Sequence, residues 1–158
     1  MAIQYDRQLV WNFLDRFGKW YPITPMSRKL LKRGKPGRCF ANARALSNCD
    51  PELIRYVEGL AGHKGGTLHA WNVVKPGYCP WMKVEIAVDC TWPIPNQMFH
   101  PFYCGVEFEK DFARDIIVTQ RRAMGWPDQG KNSDPNHNGF SVLTYEPLLL
   151  GQVEVFRF

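Results

Sequence analysis

The stretch Thr67-Leu68-His69-Ala70-Trp71-Asn72-Val73-Val74, followed by a Lys75-Pro76-Gly77 turn and then by Trp81 through Asp89, decides how this chain is read. In the second run Val84, Ile86 and Val88 alternate with Lys83, Glu85 and Ala87. Alternation of period two, with turn residues between the runs, predicts an antiparallel hairpin. Antiparallel pairing sets the start of one strand beside the end of the next, so Asp89 is carried back toward His69. The imidazole would share a face with Trp71 and Val73. A carboxylate beside a histidine fixes its tautomer, which a general base requires. Alone, a strand histidine is more often a satisfied core residue, and an aspartate at a strand end a turn or cap. The pairing gives the functional reading its weight.

Thirty residues before His69 (69 − 39), Cys39 opens Cys39-Phe40-Ala41-Asn42-Ala43-Arg44-Ala45-Leu46, which reads as a helix stopping at Asn48-Cys49-Asp50-Pro51. A buried cysteine is usually a small hydrophobe. Cys39 departs from that norm by its place at a helix start behind Gly37, where the positive end of the helix favours a thiolate. The cations Arg28, Lys29, Lys32, Arg33, Lys35 and Arg38 precede it. Most of them read as a solvated face, with Lys35 and Arg38 the exceptions by proximity. Thiol, imidazole and carboxylate on separate elements are the raw material of a nucleophile, a base and an orienter. Cys39, His69 and Asp89 are therefore the expected catalytic residues, with Arg38, Trp71 and Trp92 expected to contact substrate. Cys49, Cys79, Cys90 and Cys104 read as structural.

Further outward, Leu9, Val10, Phe13, Leu14 and Phe17 form a helical stripe from Asp6 to Trp20, ended by Tyr21-Pro22-Ile23-Thr24-Pro25. Residues 27–38 read as a short helix and a turn. Ile54–Glu58 and Phe102–Phe108 join the hairpin as further strands of a meander, with a turn at Gly62–Gly66. Phe112, Ala113, Ile116 and Ile117 predict a helix over Glu109–Met124. The polar stretch 125–139 is expected to be a lid or flap, and Val153–Phe156 an edge strand.

The 158 residues read as a single domain, 1–158, of the α+β class: N-terminal helices, the nucleophile helix among them, packed on an antiparallel sheet. No apolar run is long enough to span a membrane, and the N-terminus lacks the pattern of a signal peptide. Five cysteines, none in a CxxC pair, argue against a disulfide framework and predict a reducing, cytoplasmic setting. A zinc site of Cys39, His69 and a second cysteine has no specific spacing behind it, so neither metal nor cofactor is expected.

The segments Cys39-Phe40-Ala41-Asn42-Ala43, Tyr56-Val57-Glu58-Gly59, His69-Ala70-Trp71, Asp89-Cys90-Thr91-Trp92 and Tyr103-Cys104-Gly105-Val106 together resemble the transglutaminase-like branch of the papain-like thiol enzymes, over roughly residues 38–107. The resemblance implies Cys39 as nucleophile, His69 as base and Asp89 as orienter. It implies a papain-like, transglutaminase-like fold but no single reaction, since members of the group cleave peptides, remove amides, transfer acyl groups to amines or have lost activity. The function expected here is a peptidase or amidase acting on an amide or isopeptide bond of a peptide or protein, in a compact member of bacteriophage or bacterial type acting in the host cytoplasm. The Cys39 N–H would be one oxyanion donor, with Gln8, Trp20 and Tyr21 the candidates for a second. The alternative is a catalytically idle fold whose basic segment 28–38, with Trp20 and Tyr21, binds an acidic host protein or, less favoured, a nucleic acid.

Overall fold

The computed structural model describes residues 4–24, 34–92, 102–125 and 140–155. Asp6 caps the first helix, α1 (Arg7–Phe17), its carboxylate accepting from the N–H groups of Gln8 and Leu9 at 2.9 and 3.1 Å. The helix stops short of Trp20 because Gly18 leaves the helical region (φ −80°, ψ 163°) and Lys19–Trp20 are taken into the sheet as β1. A turn over residues 34–38, with Gly37 at φ 73°, leads into α2 (Cys39–Cys49). The rest of the segment expected to be basic and helical, residues 27–33, lies outside the described residues, as do residues 126–139 of the lid expected at 125–139.

Strands β2 (Ile54–Gly62), β3 (Thr67–Val74), β4 (Ile86–Val88) and β5 (Phe102–Phe108) complete an antiparallel sheet of order β1-β5-β2-β3-β4. The α+β class with its helix-covered antiparallel sheet is thus present, and three of the four expected strands form the meander β2-β3-β4, but β5 does not extend it. The last strand crosses back to pair with β2, because the outer side of β4 is taken by Ile23, which bridges Ala87 in parallel while the Thr24 N–H bonds the Ala87 carbonyl at 2.8 Å. The hairpin is also shorter than its alternation suggests. The β3–β4 ladder runs only from Asn72 to Val74, so beyond it Lys75 and Glu85 meet by an ion pair at 2.6 Å rather than by backbone bonds, and Trp81 and Val84 are exposed. Glu109 caps α3 (Lys110–Ala123). A 3-10 turn (Val142–Thr144) and α4 (Glu146–Leu149) follow, and Val153–Val155 form no strand.

The two faces of the sheet are unlike. Leu60, Leu68, Ala70, Cys104 and Val106 pack with Val10, Phe13, Leu14, Phe40, Ala43, Ile116 and Leu148 from the helices in one large core. The opposite face carries a smaller cluster of Val57, Ala61, Trp71, Val73 and Tyr103, covered by Tyr21, Ile23 and Trp92. That face is flattened by a glycine row: His69 pairs with Gly59, which pairs in turn with Gly105. A Cβ at Gly105 would lie 2.6 Å from the Trp71 ring and 2.7 Å from the Glu58 carbonyl. The missing side chain lets the indole lie down on the sheet.

Glu58 is fully buried at the centre of β2. One carboxylate oxygen accepts from the Tyr56 hydroxyl and the Val142 N–H at 2.9 Å, and the other from the Ser141 hydroxyl and the Leu143 N–H at 3.1 Å. Burial pushes its pKa up against the pull of those four donors. Two substitutions test this layout by urea denaturation. Gly105→Ala should cost about 2 kcal/mol or more by forcing the Trp71 ring off the sheet. Glu58→Gln should cost about 2–4 kcal/mol, because an amide N–H₂ then faces donors. Unchanged midpoints would show that neither contact holds the fold.

Candidate active site

Alternation along β3 puts His69, Trp71 and Val73 on the aromatic face and Leu68, Ala70 and Asn72 on the helical one. α2 is held to that helical face by Asn72, whose side-chain amide donates to the Ala43 carbonyl at 2.9 Å. Its first residue, Cys39, reaches the strand next to the histidine, and the thiol hydrogen-bonds the His69 ring. β4 pairs with β3 only from Asn72 to Val74, and past Val88 the chain leaves the ladder. There the Asp89 carboxylate accepts from the backbone of Thr91 and Trp92 at 2.8 and 3.0 Å through Oδ1. Two further bonds clip this segment to the start of α2: Asn42 Nδ2 donates to Thr91 Oγ1 at 2.8 Å and the Gly34 N–H to the Cys90 carbonyl at 2.8 Å.

The second Asp89 oxygen, Oδ2, lies 2.6 Å from His69 Nε2. Burial works to raise the Asp89 pKa, yet the His69 hydrogen bond and charge and the two backbone donors bring it below its ordinary value. The ionised carboxylate can only accept, so Nε2 carries a proton and Nδ1 is left for the thiol. Burial opposes charge on His69 too, but the bonds to Asp89 and Cys39 outweigh it and raise the imidazole from 6.5 to about 8. The Trp92 ring stacks on the imidazole at 3.7 Å and 17°. Cys39, His69 and Asp89 are 8%, 1% and 2% exposed, so the site is nearly closed off from water and its charges interact strongly.

The chain thus brings Cys39, His69 and Asp89 together. Trp92, half-buried, lies against the imidazole, and Arg38 stands at the N-cap position of α2. Trp71 departs from expectation: it is 0% exposed, wedged edge-on between Tyr21 and Tyr103, and offers a substrate no surface. Of the other oxyanion candidates, two are hydrogen-bonded elsewhere and Trp20 is held by ring packing alone. Gln8 donates to Asn12, the Tyr21 hydroxyl to Glu107, and Trp20 packs with Trp11 and Phe102. Cys90 and Cys104 are buried, and burial raises both thiols to about 11. Among the described residues no cluster of three or more His, Cys, Asp or Glu could hold a metal ion.

Sequence reasoning missed Tyr103, whose hydroxyl donates to Asp89 Oδ2 at 2.8 Å. The signal was present: a tyrosine on the inner face of a strand needs a partner for its hydroxyl. Comparison with known families, characterised proteins and solved structures gives no match to this chain.

The raised His69 pKa links protonation to folding. The stabilisation is complete below 6.5, the unfolded value, and is lost as pH rises through about 8. The unfolding free energy of the native chain relative to His69→Gln should therefore fall by on the order of 2 kcal/mol between pH 6 and 8.5. A difference that stays flat over that range would mean the imidazole is not charged in the fold.

Proposed function

We propose that this chain is a thiol-dependent acyl-transfer enzyme of transglutaminase-like type, a peptidase or amidase acting on an amide or isopeptide bond of a peptide or protein. The observation that carries the reading is one imidazole bonded both to a thiol at a helix start and to a buried carboxylate. Nothing in core packing requires that combination, and a binding module would have no use for it.

In the chemistry that follows, the Cys39 proton passes to His69 Nδ1 before attack, leaving an ion pair, and Sγ then attacks the carbonyl carbon as the thiolate. The developing oxyanion lies toward the first turn of α2, where the helix dipole favours negative charge. The imidazolium, held by Asp89, then gives its proton to the leaving amine as the C–N bond breaks. Water, or an amine in a transferase, attacks the acyl-enzyme carbonyl and gives its proton back through His69, and the thiol leaves.

The test sets reactivity against exposure. Cys49 is exposed and Cys39 buried, so accessibility alone ranks Cys49 first toward iodoacetamide. The proposal requires the reverse, with Cys39 alkylated about tenfold faster or more and that advantage lost in His69→Gln. Mass spectrometry of partially labelled protein reads the order. Labelling of Cys49 ahead of Cys39 would sink the reading.

A further inference from the structure

Asp89 Oδ2 serves two donors at once, Nε2 of His69 at 2.6 Å and the hydroxyl of Tyr103 at 2.8 Å. Tyr103 reaches it from β5, two strands away from β3 across β2, and is 2% exposed. Its ring stands edge-on to Trp71 at 5.1 Å, with His69 and Trp92 at 6.1 and 6.4 Å, so the hydroxyl is aimed by packing on three sides. Burial and the Asp89 charge push the phenol pKa up, so it stays a neutral donor. The titratable groups facing the imidazole are then Asp89 after β4, Cys39 from α2 and, through Asp89, Tyr103 from β5.

We propose that Tyr103 is a positioning residue of this site. By donating to the same oxygen as His69, it limits the hold of the carboxylate on the imidazole and sets how readily His69 releases its proton to a leaving amine. A carboxylate oxygen shared between two donors has less charge left for either, whereas one given wholly to the imidazole grips the proton harder and makes a weaker general acid. The inference rests on the thiol–imidazole reading above and adds a group that this reading does not use.

The experiment is Tyr103→Phe, which keeps the ring and deletes one hydrogen bond. The His69 titration is followed by NMR and the pH profile of Cys39 alkylation by mass spectrometry. The midpoint should rise by about half a unit or more, and the alkylation profile should move with it. In an Asp89→Asn background the same substitution should move neither. 3-Fluorotyrosine at position 103, a stronger donor with nearly the same shape, should lower the midpoint, and it decides the question if the phenylalanine variant does not fold. An unmoved His69 midpoint, or an equal shift in the Asp89→Asn background, overturns the role of Tyr103. Alkylation that ignores the state of His69 in the native chain overturns the thiol reading instead, while the NMR midpoint still judges Tyr103.

Discussion

Most of this structure hangs on a buried carboxyl group. Glu58 sits in the central strand, and removing a carboxylate from water costs several kcal/mol unless donors replace the solvent. Four do, and they come from separate parts of the chain: Tyr56 from β2 itself, and Ser141, Val142 and Leu143 from the approach to α4. Arg44 of α2 extends the network, donating to the Tyr56 hydroxyl at 3.2 Å and to the Phe140 carbonyl at 2.8 Å. The helix α2, the middle of the sheet and the C-terminal segment are therefore located by one buried carboxyl group, and none can shift without leaving it unsatisfied. Directly beside Glu58 lies Gly59, the cross-strand neighbour of His69. The element that fixes the fold is also the floor of the proposed active site.

The site itself is made where regular pairing fails. β4 keeps only three residues in register, and its release after Val88 frees Asp89 to collect two backbone N–H groups, a tyrosine and the imidazole. A longer strand would have tied that backbone to β3 and denied the carboxylate its turn. The cross-links from Asn42 and Gly34 then hold the released segment against the start of α2. The short edge strand and the placement of the acid are one feature.

What could be read in advance was what short-range pattern determines. The bounds of β3 and β5, the start of α2, and the span of α3 to within a residue at each end follow from alternation, helical spacing and turn residues. The return of Asp89 toward His69 follows from antiparallel geometry. What escaped depends on distant partners. The position of β5 turns on the occupation of the β4 edge by Ile23. Trp71 reads as a groove-lining ring until Gly105, thirty-four positions later (105 − 71), turns out to make room for it inside. Nothing near Glu58 in the sequence announces its burial, since three of its four donors lie more than eighty positions away.

The turn between β2 and β3 is a matter of parity. His63 to Gly66 closes it with three successive residues in the left-handed region, Lys64, Gly65 and Gly66, and the Gly66 N–H bonds back to the His63 carbonyl at 3.2 Å. That geometry sets Gly59 opposite His69. A single residue gained or lost there, with pairing otherwise kept, would move β3 by one place and exchange its two faces. The imidazole would turn into the helical core, and Leu68 or Ala70 would face Asp89. Length variation in this lineage should therefore spare this turn even where its residue types drift, and collect in connections that do not count out the facing of a strand.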